Sequence, residues 1–245
     1  MSTERLDKLI ATQKNLPRKE TRQIISRARV TVNGVVARAF DTRVNPEIDV
    51  IELDGQRVDY KKYVYIMMNK PKGVLSAATD KSRSTVVDLV PEELSRKELF
   101  PVGRLDKDTT GLLLITDDGE FAHRVISPKS EIEKVYEVVL DGELPDNAEE
   151  LFLKGIVLHD GTRCLPAKLT IDKNDKTRAE VTIMEGKYHQ IKRMFGVLSL
   201  GVVELHRKSV GGVELDPRLS LGECRLLNAE ELAKINKGNS NTDNK

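Results

Sequence analysis

The residues best suited to chemistry lie in one stretch, residues 101–119, which reads PVGRLDKDTTGLLLITDDG. Asp106 stands there in a loop just before the apolar run Leu112 to Ile115, and Gly111 separates the loop from that run. The layout predicts one carboxylate at the mouth of a buried strand, where burial and fixed neighbours can tune its ionisation.

Two other interpretations of this loop stay open at the level of spacing. Asp106, Asp108 and Thr110 alternate as in a calcium-binding loop, and Asp117 falls at position twelve. A loop of that kind needs a helix on each side, whereas strand-like LLLIT fills its second half, and its last ligand is normally Glu. A calcium site and a purely structural acidic turn are therefore the weaker alternatives to a reactive aspartate.

Two later stretches could supply partners for that aspartate. EKVYEV, around Tyr136, alternates as a strand does, and a tyrosine in such a strand most often packs within a sheet. EGKYHQIKRM, residues 185–194, places a basic helix start after a glycine turn, which by itself indicates no more than phosphate binding. His189 taken alone is more typical of a surface histidine than of a general base. No single fragment decides the function, and their order along the chain carries the argument.

The elements around these stretches predict an α+β fold. Runs of strands with occasional helices are typical of a large, mainly antiparallel mixed sheet flanked by helices. The expected strands are residues 63–68, 74–76, 135–140, 167–171, 179–184, 202–205 and 212–215. The expected helices are residues 86–89, 119–125, 146–154, 188–198 and 229–235, with Asp146 as the capping residue of the third.

The N-terminal segment differs from the rest of the chain in charge. Residues 1–43 carry ten Lys and Arg against four Asp and Glu, although the whole chain has a net charge of only +1. Such a basic segment is typical of a polyanion partner, and a merely solvated basic face is the alternative. Apolar residues at helical spacing predict two short helices, near residues 6–10 and 24–28, and Asn33-Gly34 between valines predicts a hairpin.

This segment resembles the S4 RNA-binding module, in which two helices and a small sheet present basic side chains to structured RNA. RLDKLI, RQIISRARVTVNG and DVIELDGQRV carry the resemblance over residues 3–58, and Ala28 replaces a glycine that the module usually has. The resemblance implies RNA contacts by Arg5, Lys8, Arg18, Lys19, Arg22, Arg27, Arg29 and Asn33.

The remaining motifs, taken in order, resemble the pseudouridine synthases, and within them the RsuA branch, which carries an N-terminal S4 module. NKPKGVLS, GRLDKDTTGLLLITDDG, EKVYEV and EGKYHQIKRM carry this resemblance, which spans residues 3–233. The family breaks the nitrogen–carbon glycosidic bond of a uridine in RNA and rejoins the base through carbon 5, with no cofactor and no metal. The resemblance therefore implies an enzyme, an isomerase of RNA.

The same resemblance implies a role for each matching residue. Asp106 matches the essential aspartate, which attacks the target nucleotide at either the sugar or the base. Arg104 matches an arginine that helps to hold the RNA open while the base leaves its stack. Tyr136 matches the tyrosine that stacks on the flipped base, and Lys192 the basic residue that pairs with the aspartate. The further RNA contacts implied are those of Lys70, Lys72, Lys187, His189, Gln190 and Arg193.

The expected substrate is small-subunit (16S) rRNA, either free or in a preribosomal particle, because Tyr188-His189 before Gln190 resembles the small-subunit branch. A large-subunit synthase and a non-catalytic RNA-binding assembly factor are the alternatives.

The expected domain organisation is an S4-like domain over residues 1–58, a linker at 59–62, a catalytic domain over 63–236 and a disordered tail at 237–245. Cys164 and Cys224 stand far apart as free thiols. No secretory signal is readable, and no apolar run approaches the roughly 20 residues that span a bilayer. We therefore expect a cytoplasmic monomer with no membrane contact.

Overall fold

The computed structural model describes residues 3–237, which divide into two compact units. The N-terminal unit runs to Val64 and includes Ser95–Glu98, and the larger unit holds Tyr65–Leu94 and the chain from Leu99 onward. Lys61 is fixed within the N-terminal unit, because its carbonyl accepts hydrogen bonds from Gln13 and Arg96 at 3.0 and 2.9 Å. The domain bounds predicted from the sequence, including the linker at 59–62, remain a prediction, because a division by contacts does not test them.

The N-terminal unit has two helices and six short strands. In chain order they are β1 (Glu4–Arg5), α1 (Leu6–Gln13), α2 (Arg18–Ser26), β2 (Val30–Val32), β3 (Val35–Ala37), β4 (Arg43–Val44), β5 (Ile51–Leu53) and β6 (Gln56–Arg57). Four strands form a sheet in the order β3-β2-β5-β6, and β1 pairs with β4. The two predicted helices are confirmed.

The hairpin of the N-terminal unit follows from its turn residues. Asn33 and Gly34 have φ values of 52° and 79°, the left-handed pair that an Asn-Gly hairpin turn requires. Ala28, two residues after the end of α2, also has a left-handed φ of 61°, where a glycine would avoid a strain of about 1–2 kcal/mol. The chain therefore keeps the turn after α2 without the residue that usually makes it.

The larger unit is built on one sheet flanked by helices. In chain order its elements are β7 (Tyr65–Lys70), β8 (Phe100–Pro101), β9 (Thr110–Thr116), α3 (Gly119–Ile126), β10 (Lys134–Leu140), α4 (Ala148–Leu153), β11 (Lys168–Ile171), β12 (Arg178–Ile183), α5 (Gln190–Val197), β13 (Val202–Val210), β14 (Val213–Glu214), β15 (Cys224–Leu226) and α6 (Ala229–Lys237).

The nine strands of this sheet confirm the predicted α+β class. Seven of them run in the order β11-β12-β10-β13-β9-β7-β15, with β8 paired to β9 and β14 to β13. All pairs are antiparallel except β9 with β13, which makes the sheet mixed. Residues 111–116 of β9 are buried, and α3 covers one face of the strand, where Phe121 and Val125 share an apolar cluster with Leu112 and Leu114.

Two local predictions are wrong. Residues 74–76 form no strand, because Ser76 Oγ donates to the Leu105 carbonyl at 2.8 Å and Leu75 makes one isolated bridge, to Thr85. Asp146 does not cap α4, since its carboxylate pairs with Lys176 Nζ at 2.7 Å. The short helix predicted at residues 86–89 is present as a 3₁₀ helix, Val87–Leu89.

Of the predicted tail at 237–245, Lys237 ends α6 and the remainder lies outside the described residues. Within residues 3–237 no helix is long and apolar enough to cross a membrane. Cys164 is buried, Cys224 is partly buried, and both are free thiols.

Candidate active site

The loop that carries Asp106 links β8 to β9 and is fixed on two sides by hydrogen bonds. Ser76 Oγ donates to the Leu105 carbonyl and accepts from the Leu105 amide at 3.1 Å. The Gly73 amide donates to the Lys107 carbonyl at 2.8 Å. The backbone on both sides of Asp106 is therefore held before any substrate arrives.

Lys70 supports the same loop from inside the unit. Its side chain is fully buried, and Nζ donates to the carbonyls of Pro71, Lys107 and Thr109 at 2.9, 3.4 and 3.1 Å. Burial lowers the pKa of Lys70 to about 8, although the charges of Asp108 and Asp106 oppose this shift. Lys70 was predicted to contact RNA. In the structure its ammonium binds backbone carbonyls, two of which belong to the reactive loop.

Gly111 brings the start of β9 against β13. Its φ is 100°, and a Cβ there would stand 2.3 Å from the Arg207 carbonyl oxygen. Only glycine fits, since that approach is far inside the van der Waals distance and the φ disfavours any side chain. The close approach belongs to the parallel pair of β9 and β13, where Gly111 is opposite Arg207.

Asp106 is half-buried and has two basic neighbours from the start of α5. His189 Nε2 lies 3.4 Å from Oδ1 of Asp106, and Lys192 Nζ lies 3.8 Å from Oδ2. Lys192 is closer to Asp108, whose two carboxylate oxygens accept from Nζ at 2.7 and 2.6 Å. The hydrogen bond from Lys192 lowers the pKa of Asp108. The predicted partner of the aspartate is thus shared between two carboxylates.

Asp106 stands at a cavity of about 930 Å³ in the larger unit. Its walls include the apolar side chains of Val102, Leu114, Val125 and Val210. Arg104, Tyr136 and His189 also line it, so the cavity brings together two residues predicted to act with Asp106 and one predicted to contact RNA. A pocket with an apolar wall, several charged side chains and the ring of Tyr136 suits a planar, polar ligand such as a nucleobase.

Two buried basic residues at this cavity were not predicted from the sequence. Lys134 and Arg207 are 7% and 5% exposed, and both line the cavity beside Tyr136. Arg207 Nη1 donates to the Tyr136 hydroxyl at 3.4 Å, and its Nε donates to the Leu112 carbonyl at 2.7 Å. The alternation of EKVYEV could have placed Lys134 on the face of Tyr136, because residues two apart in a strand share a face.

The remaining residues predicted at the start of α5 have partners within the unit. Glu185 pairs with Lys187 and accepts from the Gln190 amide at 2.8 Å, and Gln190 is buried. Arg193 pairs with Asp160. Lys72, exposed near β7, lies 4.0 Å from Glu204. Tyr188, 77% exposed, stacks on the His189 ring with centroids 3.8 Å apart.

The basic residues predicted for RNA in the N-terminal unit fall into two groups. Asp7 is fully buried, and Arg5, Arg18 and Arg22 surround it at 3.0, 3.9 and 2.9 Å. Arg29 pairs with Asp54 at 2.6 Å, and the Asn33 amide donates to Asp49 at 2.9 Å. The second group, Lys8, Lys19 and Arg27, is exposed and has no ion pair with a described residue.

Comparison with known proteins gives the same division of the chain. Residues 64–196 match the RNA pseudouridylate synthase family, and residues 4–47 match the S4 domain. The uncharacterised RNA pseudouridine synthase YtzG of Bacillus subtilis is 44% identical over 234 residues, which are 95% of this chain and 98% of that protein. Ribosomal small subunit pseudouridine synthase A of Escherichia coli is 40% identical over 231 residues, 94% of this chain and 99% of that protein.

A solved structure is similar over the same length. A crystal structure of a pseudouridylate synthase aligns with a TM-score of 0.66 at 37% identity, covering 95% of this chain and 99% of the other. The fold, the cavity and these likenesses define an isomerase joined to an S4 domain. The chain belongs to the RNA pseudouridylate synthase family.

Proposed function

We propose that this protein converts a uridine of small-subunit (16S) rRNA into pseudouridine, with Asp106 as the residue that attacks the target nucleotide. The position of Asp106 carries the proposal: a carboxylate in a loop fixed by buried hydrogen bonds, at the mouth of the cavity. Similarity over nearly the whole chain to the small-subunit enzyme of Escherichia coli supports the choice of substrate.

The target base must leave its stack, because a stacked uridine cannot reach Asp106. Extrusion costs about a few kcal/mol. Stacking on the ring of Tyr136 recovers about 1–3 kcal/mol of this cost. Arg104, which is exposed and lines the cavity, stands where it can hold the RNA open. The cavity of about 930 Å³ accommodates the extruded nucleotide.

The ammonium of Lys192 orients Asp106 for attack. Lys192 bridges Asp106 and Asp108, so one ammonium restrains the nucleophile and the carboxylate two residues later. A lysine gives a point charge and not the two-pronged contact of an arginine, which leaves the Asp106 carboxylate free to turn toward the nucleotide.

The S4 domain supplies affinity for RNA that does not depend on sequence. Lys8, Lys19 and Arg27 are the predicted contacts whose charges are exposed and unpaired with any described residue, so they are best placed to bind phosphates. Site selection then comes from the larger unit and the shape of the RNA. The protein acts as a cytoplasmic monomer on free rRNA or a preribosomal particle, without a cofactor or a metal.

The test uses rRNA from a strain that lacks this protein, with pseudouridines mapped by carbodiimide treatment and primer extension. The strain is complemented with wild type, with Asp106→Ala, or with Asp146→Ala as the matched control. Asp146 is an aspartate of the same unit whose side chain is 91% exposed. We expect one small-subunit stop to vanish and to return with wild type and Asp146→Ala only.

Each other outcome would contradict one part of the proposed function. A stop that vanishes from large-subunit rRNA would keep the reaction and replace the substrate. Full recovery with Asp106→Ala would remove the proposed nucleophile. No change in any stop would favour an RNA-binding assembly factor without catalysis.

A further inference from the structure

Two buried cations, Lys134 and Arg207, line the same cavity as Asp106 but form no ion pair with a carboxylate of the described residues. Lys134 Nζ donates to the Ile132 carbonyl at 2.8 Å, and Arg207 donates to the Leu112 carbonyl and the Tyr136 hydroxyl. Neither cation forms an ion pair with any residue in the described part of the chain. Lys134 and Arg207 flank Tyr136, since Lys134 is two residues before Tyr136 and Arg207 is its cross-strand partner.

Such an arrangement destabilises the folded protein. Each buried charge without an opposite charge costs several kcal/mol of solvation free energy. The two cations also repel each other, and burial together with the charge of Arg207 lowers the pKa of Lys134 to about 8. Two unbalanced cations at one cavity indicate that an anion occupies it during the reaction, because an anion is what would offset this cost.

The proposed reaction supplies an anion at this place. When Asp106 attacks C1′ of the sugar, a bond from its carboxylate oxygen to C1′ forms as the bond between C1′ and N1 of the base breaks. The electron pair of the broken bond stays with the uracil and spreads over N1, O2 and O4. The base then turns, C5 bonds to C1′ as the bond from C1′ to Asp106 breaks, the proton on C5 is lost and N1 gains a proton. The isomerisation therefore balances without any co-reactant, and the uracil carries its negative charge only between the two bond changes.

We infer that Lys134 and Arg207 form an anion subsite that stabilises the departing uracil through its carbonyl oxygens. The inference rests on the proposed function. Preorganised cations in a cavity shielded from water act most strongly where charge develops, and removing one such donor typically lowers a rate by about 10²–10³-fold. Arg207 also holds the β9 backbone, so its replacement would affect the structure as well as the rate. Replacement of Lys134 therefore tests the subsite more directly.

The experiment measures single-turnover rates of Lys134→Met on an RNA fragment that carries the uridine identified by the mapping above. Lys208→Met is the matched control: Lys208 follows Arg207 on β13, and its ammonium pairs with Glu180 at 3.1 Å. We expect Lys134→Met to react about 10²-fold more slowly with unchanged RNA affinity, and Lys208→Met to stay within twofold of wild type.

Sulfur substitution in the substrate distinguishes a contact to the base from a structural effect. Fragments with 2-thiouridine or 4-thiouridine at the target site replace one carbonyl oxygen by a weaker acceptor. For each variant we compare the rate with the oxygen substrate to the rate with the sulfur substrate. If Lys134 binds that oxygen, this ratio is about tenfold or more larger in wild type than in Lys134→Met. The two changes form a double-mutant cycle, which isolates the interaction between Lys134 and the carbonyl oxygen.

The outcomes distinguish the anion subsite from the proposed synthase reaction. Equal ratios in wild type and Lys134→Met for both thiouridines would overturn the subsite while leaving the synthase reaction in place. A rate loss in Lys134→Met that is matched by a loss of RNA affinity would assign Lys134 to binding and would also overturn it. Absence of turnover by wild type on the fragment, on free rRNA and on preribosomal particles would overturn the proposed function and this inference with it.

Discussion

The two units of the protein treat their basic side chains in opposite ways. In the N-terminal unit, one fully buried carboxylate, Asp7, gathers Arg5, Arg18 and Arg22 within 3.9 Å. In the larger unit, Lys70 is surrounded by carbonyl oxygens, and Lys134 and Arg207 have no carboxylate partner among the described residues. The unit that is rich in cations pairs several of them with carboxylates, whereas the larger unit, whose net charge is negative, keeps three buried cations without an ion pair to a described residue.

This contrast shows why a count of charges locates a polyanion partner poorly. An arginine that already bonds to a buried carboxylate adds to the count but has fewer donors for a phosphate. A buried cation without an acid adds one charge to the count and acts strongly in its cavity, because the local dielectric constant is low. We therefore expect nonspecific affinity from the exposed cations of the S4 domain and chemistry from the buried cations of the larger unit.

The largest expected effect is that of Lys70→Met on turnover. Without the ammonium, the carbonyls of Lys107 and Thr109 lose their common donor and the Asp106 loop is no longer held. Displacement of a reacting group by about 1 Å lowers rates by about 10²-fold. Single-turnover kinetics should show at least this loss with little change in RNA affinity. Lys168→Met, on exposed β11, is the control, and equal rates for the two variants would refute the support role of Lys70.

A second prediction concerns the free energy of unfolding of Lys134→Met. Burial lowers the pKa of Lys134 to about 8, whereas an unfolded lysine has a pKa of about 10.4. Between these values the unfolded chain binds more protons, so the Lys134 contribution to stability rises with pH. At pH 7 the variant should be more stable than wild type by about 1–3 kcal/mol, and the gap should close toward pH 10.

Urea unfolding at pH 7, 8.5 and 10 checks this result. A variant that is both more stable and slower has lost a group kept for function. Lower stability of Lys134→Met at pH 7 would instead make the lysine a structural residue.

A third prediction addresses the neutralised cations of the N-terminal unit. Burial alone would raise the pKa of Asp7, but hydrogen bonds from Arg5 and Arg22 lower it below its usual value. Asp7→Asn removes the charge that these arginines share, and we expect a loss of about 1–3 kcal/mol in the stability of this unit. Asp54→Asn, which breaks the exposed pair with Arg29, should change stability by less than about 1 kcal/mol. Equal losses in urea unfolding would contradict the distinction.

The smallest expected effect is on the salt dependence of RNA binding. Each of Lys8→Gln, Lys19→Gln and Arg27→Gln should reduce the slope of log affinity against log salt by about one. Arg5→Gln should reduce the slope less, because Asp7 already accepts from Arg5. Filter binding between 50 and 300 mM KCl measures these slopes. A larger change for Arg5 than for Lys8 would reverse the assignment of phosphate contacts.

The sequence allowed prediction of features that depend on local pattern. The Asn33-Gly34 turn, the apolar strand after Asp106 and the mixed sheet follow from spacing and turn chemistry. The wrong strand at 74–76 arose because its apolar residues suit a strand, whereas Ser76 bonds to the Asp106 loop, a contact 29 residues away that no local pattern reports. The short β8 and β15 were missed because two or three residues carry no periodicity.

Within the site, residue types were easier to predict than partners. Asp106, Tyr136, Arg104 and Lys192 meet at or beside the cavity, but the sharing of Lys192 with Asp108 depends on a loop-to-helix distance. Arg207 was missed because its place opposite Tyr136 is fixed by the register of β10 with β13. Register between distant strands is a property of the folded sheet, and the sequence near Arg207 contains no sign of it.

The burial of Lys70 makes the shape of the reactive loop a condition for folding the larger unit. Two of the three carbonyls around its ammonium belong to that loop. A chain whose loop is misplaced would leave a charge in the interior without acceptors, which costs several kcal/mol. Errors in the loop should therefore appear in the cell as protein that is unfolded and degraded. Few compact molecules with a defective site would then survive to bind RNA without modifying it.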